Sequence, residues 1–178
     1  MKGWKSTGAN LPDLKKYLMI VGPHTSGTDF FIGLAFRSVL HIQHARFLGK
    51  KELFKAPFGF IFRWLGGVPV DRFSKQNMVD QVVELFNGRE RLVLALSPEG
   101  TRERVKRLRT GFYYIAKKAG IPIVMIGLEY SRKELIISEP FFTTDNEAAD
   151  FRKIISFFAP LQGKVAGKGM EHLAESLQ

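Results

Sequence analysis

Residues 21–30 of the sequence read Val21-Gly22-Pro23-His24-Thr25-Ser26-Gly27-Thr28-Asp29-Phe30. An apolar run leads into this stretch and a second leads out of it, which is typical of a strand, a turn and a helix. His24 and Asp29 are five positions apart, and on one continuous helix they would point ~140° away from each other. They can meet only if His24 lies in the turn and Asp29 in the first turn of the helix. A histidine with a purely structural role would fit the same two residues, so the pair alone does not establish a catalytic site.

The rest of the chain alternates short apolar runs with amphipathic segments and turn residues. We expect strands over 16–22, 45–49, 66–72, 92–96, 121–128 and 134–138, the last at a sheet edge. We expect helices over about 29–40, 75–87, 111–118 and 146–158, with Ser74 and Thr110 as N-caps. The predicted fold is α/β, a single domain over 1–178 with a central, largely parallel mixed sheet flanked by helices. Residues 1–15 are predicted to be an irregular lead-in and 163–178 a flexible tail.

The composition restricts the chemistry and the partners. There is no cysteine among the 178 residues, which excludes disulfides, thiolate catalysis and thiolate metal sites. The net charge of +10 predicts an acidic partner, namely nucleic acid, an anionic membrane or a phosphorylated substrate. No apolar run approaches the ~20 residues of a membrane-spanning helix, and the N-terminus lacks the apolar core of a signal peptide. These features predict a soluble or peripheral protein inside the cell.

Two segments have more than one interpretation. Residues 57–65 are aromatic and flanked by Lys55 and Arg63, and they fit a core helix, the wall of an acyl-chain groove, or a segment that rests on lipid. His41 and His44 are three positions apart, as two metal ligands can be, but no third ligand is close in sequence. Surface or helix-end histidines are therefore the preferred interpretation there, and we expect no metal site.

A polar loop follows the predicted strand over 92–96. It begins Ser97-Pro98-Glu99-Gly100-Thr101-Arg102 and continues into a basic run that contains Arg104, Lys106, Arg107 and Arg109. Open α/β sheets usually bind ligands at the carboxyl ends of their strands. A glycine there lets the backbone approach a ligand closely, and an arginine can hold a phosphate with two hydrogen bonds. A turn with a local surface ion pair, or a basic loop in solvent, would give the same pattern.

Four stretches, in this order, resemble the four motifs of the glycerolipid acyltransferase family, the 1-acylglycerol-3-phosphate acyltransferases and their relatives. They are His24 to Asp29, Gly66 to Arg72, Pro98-Glu99-Gly100-Thr101-Arg102, and Ile121-Pro122-Ile123-Val124. The chain departs from the family pattern at Pro23, where asparagine is usual, at Ser97, where phenylalanine is usual, and at Met125, where a second proline is frequent. The N-terminal membrane helix of many relatives is also missing from this sequence.

The resemblance implies transfer of an acyl group from acyl-CoA or acyl-carrier protein to the hydroxyl of a lysophospholipid. His24 would be the general base, and Asp29 would orient it. Arg72 and Arg102 would hold the phosphate of the acceptor, and Glu99, Gly100 and Thr101 would shape its site. No metal or other cofactor is implied. The expected location is the cytoplasm, peripheral on the inner face of the cell membrane, with an anionic membrane surface as a partner.

Three other functions fit part of the sequence. A non-catalytic lipid-binding protein of the same fold would bind membranes without turnover. A nucleic-acid-binding module is suggested by charge alone, and no nucleic-acid motif accompanies the basic run. A hydrolase would use Ser26 or Ser97, and neither serine lies in a recognisable nucleophile elbow. Within the acyltransferase interpretation, Pro23 leaves open an acceptor with a different head group.

Overall fold

The computed structural model describes residues 3–70 and 77–177, and these build one seven-stranded sheet. The strands are β1 Lys5–Gly8, β2 Lys16–Gly22, β3 Ala45–Lys50, β4 Gly67–Val70, β5 Leu92–Leu96, β6 Ile123–Glu129 and β7 Glu134–Ile137. Their order across the sheet is β1-β7-β6-β2-β5-β3-β4. All neighbouring strands are parallel except β6 and β7, which are antiparallel. The predicted α/β fold with a largely parallel mixed sheet is therefore confirmed.

Helices cover both faces of this sheet. They are α1 Thr28–Val39, α2 Gly59–Trp64, α3 Met78–Asn87, α4 Gly111–Ala119 and α5 Glu147–Phe158, with 3-10 helices over Lys51–Phe54 and Glu171–Leu177. Side chains alternate along β2, so that Leu18 and Ile20 join the core under α3, α4 and α5 while Tyr17 and Met19 join the core under α1. Burial on both faces explains why the central strands are continuous apolar runs.

Three central strands bring the polar loops together. β2 lies between β6 and β5, and the three are parallel, so their carboxyl ends meet at the same edge of the sheet. The turn that holds His24 follows β2, the loop that begins at Ser97 follows β5, and Tyr130 follows β6. A site at this edge is the position that open α/β sheets favour.

The N-terminal lead-in contains a strand, which the sequence analysis did not predict. Lys5–Gly8 forms β1 and pairs in parallel with β7, with Lys5 opposite Glu134 and Gly8 opposite Ile137. The prediction that 134–138 is an edge strand is therefore wrong, because β1 lies outside β7. The polar sequence of β1 gave no local signal, since its stability comes from hydrogen bonds to a strand far away in the chain.

The beginning of α3 also differs from the prediction. The helix begins at Met78 and not at about 75, because Asn77 has ψ of 134° and its side-chain oxygen accepts a hydrogen bond from the amide of Val79. The predicted cap, Ser74, lies outside the described residues. Thr110 precedes α4 as predicted, but its side chain makes no capping hydrogen bond.

The predicted flexible tail packs on the core instead. Met170 is fully buried and Leu173 is 3% exposed, and both belong to the core under α3, α4 and α5. The ring nitrogen Nε2 of His172 lies 2.7 Å from the carbonyl oxygen of Val105, which joins the tail to the loop after β5. The glycines and lysines of 163–169 concealed this packing, because the buried apolar side chains of the tail, Met170 and Leu173, come after them.

The aromatic segment 57–65 is not a core helix. Phe58, Phe60 and Trp64 are 66%, 68% and 79% exposed, although they belong to or flank the short helix α2. None of the three lines the cavity described below. Among residues 3–70 and 77–177, no helix is long and apolar enough to cross a membrane.

Candidate functional site

His24 and Asp29 meet as the sequence predicted. His24 lies in the turn after β2, and Asp29 is the second residue of α1. Nδ1 of His24 is 3.0 Å from Oδ2 of Asp29. The Asp29 side chain is 3% exposed and the His24 side chain 28% exposed, so the ring can meet a substrate while the carboxylate stays covered. When Nδ1–H of the neutral ring donates a hydrogen bond to the carboxylate, Nε2 carries no hydrogen and is free to accept a proton.

Asp29 is held in place by several donors. Its Oδ2 accepts hydrogen bonds from the amides of Thr25 and Ser26, both at 2.8 Å, and its Oδ1 accepts one from the hydroxyl of Tyr130 at 2.5 Å. Burial disfavours the charged carboxylate, but the hydrogen bonds from His24, Tyr130 and Ser26 outweigh it and lower the pKa of Asp29. The carboxylate therefore stays ionised and keeps the histidine ring in one orientation.

The loop after β5 reaches the same turn through Glu99. This residue is 1% exposed, and its Oε2 accepts hydrogen bonds from the backbone amide of His24 at 2.8 Å and from the Ser97 hydroxyl at 3.1 Å. Burial raises the pKa of Glu99 to about 7, despite the hydrogen bonds that favour its charged form. Glu99 thus joins the two loops and positions the backbone of His24, and it does not face an open acceptor site.

The other predicted binding residues lie at the surface of the same loop. A Cβ placed on Gly27 would lie 3.2 Å from Nη1 of Arg102, so the guanidinium is beside the turn that carries His24. Gly100 has φ of +68°, which favours glycine. The hydroxyl of Thr101 accepts a hydrogen bond from the amide of Glu103 at 3.3 Å and so closes the loop. Arg72 lies outside the described residues.

An apolar cavity of about 260 Å³ opens beside the histidine and aspartate. His24, Asp29 and Ser97 line it together with Arg37 and Arg46. The remaining lining is mainly aliphatic and aromatic and includes Met19, Val21, Phe30, Phe47, Leu96 and Ile126. A proton-accepting group in the wall of an apolar cavity can act on a polar atom at the end of a hydrocarbon chain.

The two serines do not form a nucleophile and base with His24. The Ser26 hydroxyl donates to the Thr28 hydroxyl at 3.3 Å, and the Ser97 hydroxyl donates to Glu99. A serine nucleophile needs a hydrogen bond to its base, and neither hydroxyl makes one to the His24 ring. The geometry therefore argues against the hydrolase interpretation.

Histidines elsewhere do not build a metal centre. His41 and His44 follow α1 and are exposed. Over the described ranges, no group of three or more histidine, aspartate or glutamate side chains is placed to hold a metal ion.

Sequence reasoning missed Tyr130 and the C-terminal segment. Tyr130 is the first residue after β6, and the position of a polar side chain directly behind a buried strand was a usable signal. The carbonyl of Gln162 accepts a hydrogen bond from the amide of Tyr130 at 2.9 Å, and Thr25 Oγ1 accepts one from the amide of Val165 at 3.2 Å. Nothing in residues 162–165 indicated that this segment returns to the site.

Comparisons with known proteins identify a family and a similar fold. The model of the acyltransferase family matches residues 5–129. Among solved structures, the chain resembles the crystal structure of the 1-acyl-sn-glycerophosphate (LPA) acyltransferase PlsC from Thermotoga maritima. The TM-score is 0.62 at 20% sequence identity, over 94% of this chain and 70% of that one, which is a likeness of fold. The search of the curated proteins gave no match.

Proposed function

Because the chain belongs to the acyltransferase family, we propose that it transfers a fatty acyl group from an acyl thioester to the free hydroxyl of a lysophospholipid. The acceptor we propose is 1-acylglycerol 3-phosphate, and the product is phosphatidate. One observation carries the proposal, which is the position of the His24–Asp29 pair in the wall of an apolar cavity. The cavity can hold the hydrocarbon chain while the reacting carbonyl lies at the histidine.

In the proposed mechanism His24 is the general base and Asp29 its positioning partner. Nε2 of His24 accepts the proton of the acceptor hydroxyl as the oxygen attacks the thioester carbonyl carbon. The carbonyl π electrons move to its oxygen and form a tetrahedral oxyanion. When the oxyanion collapses, the carbon–sulfur bond breaks and the thiolate takes the proton from the His24 imidazolium. The products are an ester and a free thiol, and no covalent acyl-enzyme forms.

Arg102 and Arg72 would bind the phosphate of the acceptor in this mechanism. The exposed guanidinium of Arg102 beside Gly27 supports this role, because a phosphate there would lie close to His24. Gly100 and Thr101 would shape the loop around the acceptor, and Glu99 would act indirectly by holding the backbone of His24. A thioester is already an activated acyl group, so the mechanism calls for no metal and no cofactor apart from the acyl donor.

The acyl donor would be acyl-CoA or acyl-carrier protein, and both are polyanionic. The net charge of +10 would attract either donor, and it would also attract an anionic membrane surface, where the lysophospholipid is found. Since both donors are made inside the cell, the proposal places the enzyme on the inner face of the membrane.

The surface of α2 supports a peripheral contact with this membrane. Phe58, Phe60, Ile61 and Trp64 form an aromatic patch, defined by these four residues, in which Ile61 is 38% exposed and the others are more exposed. Lys55 and Arg63 flank it, as basic residues do at lipid interfaces. Nη1 of Arg37, in the cavity wall, donates a hydrogen bond at 2.5 Å to the carbonyl of Leu65, the residue that follows Trp64.

The test is release of free thiol from palmitoyl-CoA with and without lysophosphatidate. We expect release that depends on the acceptor in the native chain and that falls by at least about a hundredfold in His24→Ala. Mass spectrometry of the extracted lipid should identify phosphatidate as the second product. Circular dichroism of His24→Ala would establish that the loss is not unfolding.

Two other results would replace this proposal. Thiol release that does not depend on any lysophospholipid would indicate a thioesterase. No release with either donor in the presence of membranes, combined with vesicle binding that survives His24→Ala, would favour the non-catalytic lipid-binding interpretation.

A further inference from the structure

The C-terminal segment over residues 161–170 packs against the turn that carries His24 and against the end of β6. Its backbone is fixed by hydrogen bonds from Gln162 to the Glu129 carboxylate at 2.8 Å and from Tyr130 to the carbonyl of Gln162 at 2.9 Å. A Cβ placed on Gly163 would lie 2.5 Å from Cγ2 of Thr25, so the segment packs closely on the turn that carries His24. The backbone next to Lys164 is therefore held in place by contacts with the end of β6 and with the turn after β2.

Two cations from different parts of the chain meet at this turn. Nζ of Lys164 is 2.6 Å from Oγ1 of Thr28, and Nη1 of Arg102 is beside Gly27. Gly27 and Thr28 are consecutive, with Cα atoms about 3.8 Å apart. Both cations therefore lie on the turn that joins His24 to Asp29.

The acidic groups around this turn have other partners. Asp29 is bound by His24 and Tyr130, Glu99 by the amide of His24, and Glu103 by Lys168 at 2.7 Å. Within the described part of the chain, Lys164 and Arg102 have no carboxylate within ion-pair distance. Two cations on one turn with no carboxylate partner favour the binding of an anion there.

We propose that Lys164 and Arg102 together bind the phosphate monoester of the acceptor. This inference rests on the proposed function and adds a residue from beyond the part of the chain that the family model matches. The arginine can donate two parallel hydrogen bonds to phosphate oxygens. The ammonium group of the lysine would leave the Thr28 hydroxyl and donate a hydrogen bond to a third phosphate oxygen. The acceptor hydroxyl would then lie near Nε2 of His24.

The experiment compares the kinetics of Lys164→Gln, Lys164→Arg and the native chain. We expect Lys164→Gln to raise the KM for lysophosphatidate by about tenfold, the loss of one charge-assisted contact, with kcat and the KM for palmitoyl-CoA unchanged. Lys164→Arg should recover most of this loss. The control is the double variant Glu103→Gln/Lys168→Gln, which loosens the same segment at constant net charge and should keep the native KM.

A binding measurement separates this inference from the proposed function. Calorimetric titration with 1-hexanoylglycerol 3-phosphate and with 1-hexanoylglycerol should show that Lys164→Gln weakens only the binding of the phosphorylated compound.

If the native chain binds this compound through Lys164 but transfers no acyl group, the proposed function fails and the inference stands. If the native chain transfers acyl groups and Lys164→Gln has the native KM, the inference is wrong. An equal rise in KM in the double variant would also overturn it, because Lys164 would then only dock the segment. A native chain that neither binds nor reacts would overturn both.

Discussion

At the scale of single residues, the two oxygens of Asp29 have different tasks. Oδ2 accepts hydrogen bonds from Nδ1 of His24 and from two backbone amides of the turn, so it joins the imidazole ring to the local backbone. Oδ1 receives the hydroxyl of Tyr130, which belongs to the end of β6. The orientation of His24 therefore depends on the relative position of two strands as well as on the turn.

Removal of each contact should have a graded effect. We expect Asp29→Asn to lower kcat by at least about a hundredfold, because an amide no longer stabilises the imidazolium. Tyr130→Phe should lower kcat by about tenfold, the effect of one lost hydrogen bond, with the KM for palmitoyl-CoA unchanged. Steady-state kinetics measures both. Tyr114→Phe is the matched control, since its hydroxyl bonds Glu147 at the surface. A Tyr130→Phe enzyme with native kcat would show that the Tyr130 contact has no positioning role.

Glu99 predicts a pH dependence of stability. Its pKa is raised from 4.5 to about 7 in the folded chain, so between these values the folded state binds more protons than the unfolded state. The native chain therefore loses free energy of unfolding as the pH rises through this window, by up to about 3 kcal/mol above pH 7. Glutamine keeps an oxygen that can accept from His24 and Ser97, and it does not titrate.

The measurement is urea unfolding of the native chain and Glu99→Gln across this window. The other titrating groups are the same in both proteins and cancel in the difference. We expect the variant to gain stability relative to the native chain as the pH rises from 4.5, and the gain should level off once the pH has passed the folded pKa of about 7. A difference in stability that does not change with pH would mean that folding leaves the pKa of Glu99 at its ordinary value.

At the scale of elements, the helix α2 leaves large apolar side chains exposed. Phe60 and Trp64 are 68% and 79% exposed, and contiguous apolar surface of this kind marks interaction sites. We expect the double variant Phe60→Ser/Trp64→Ser to bind phospholipid vesicles at least about tenfold more weakly, because two aromatic side chains no longer insert at the interface. Vesicle co-sedimentation measures this change.

The chain offers a matched control for the aromatic patch. Phe142 is 62% exposed, and its neighbour Phe141 pairs with Ile123, the first residue of β6. Phe142 therefore lies near the amino end of β6, whereas the site lies at the carboxyl ends of the strands. Phe142→Ser should leave vesicle binding unchanged. Equal losses for both variants would indicate that exposed phenylalanines act without regard to position, and the patch would then not be the membrane contact.

The elements differ in how far the sequence predicts them. β2, β5 and β6 are buried on both faces, so their apolar runs gave the bounds within about two residues. β1 is polar and exists because β7 offers hydrogen bonds more than a hundred residues later. Among the described residues from 163 onwards, the buried apolar side chains are Met170 and Leu173, and their spacing among glycines and lysines shows no periodicity.

The residues of the candidate site also differ in how far the sequence predicts them. His24, Asp29 and the loop from Ser97 to Arg102 are local motifs, and the structure brings them together as the motifs predict. Tyr130 and Lys164 reach the site only because β6 lies beside β2 and because the chain returns after α5. Such contacts depend on tertiary structure, and no spacing within one segment encodes them.

At the scale of the whole molecule, the charge and the aromatic patch should make separable contributions to membrane binding. The net charge of +10 attracts anionic lipid, and salt screens this attraction, with a Debye length of about 10 Å at 0.1 M ionic strength. Burial of the aromatic patch in a lipid interface would be a hydrophobic contribution, which salt does not weaken. An acyltransferase that works on membranes needs the second contribution at physiological salt, whereas a nucleic-acid-binding protein needs only the first.

This difference gives a test that also addresses the nucleic-acid alternative. We expect binding to anionic vesicles to weaken with rising salt and then level off at a value that the Phe60→Ser/Trp64→Ser variant loses. Binding to duplex DNA should fall steadily with salt in both proteins, because phosphate contacts release counterions and nothing apolar replaces them. Co-sedimentation with vesicles and gel-shift titration with DNA, each over a series of salt concentrations, measure the two slopes. If vesicle binding is lost with rising salt as DNA binding is, the net charge of +10 alone would account for vesicle binding. Sequence-selective DNA binding that persists at high salt would instead favour the nucleic-acid interpretation.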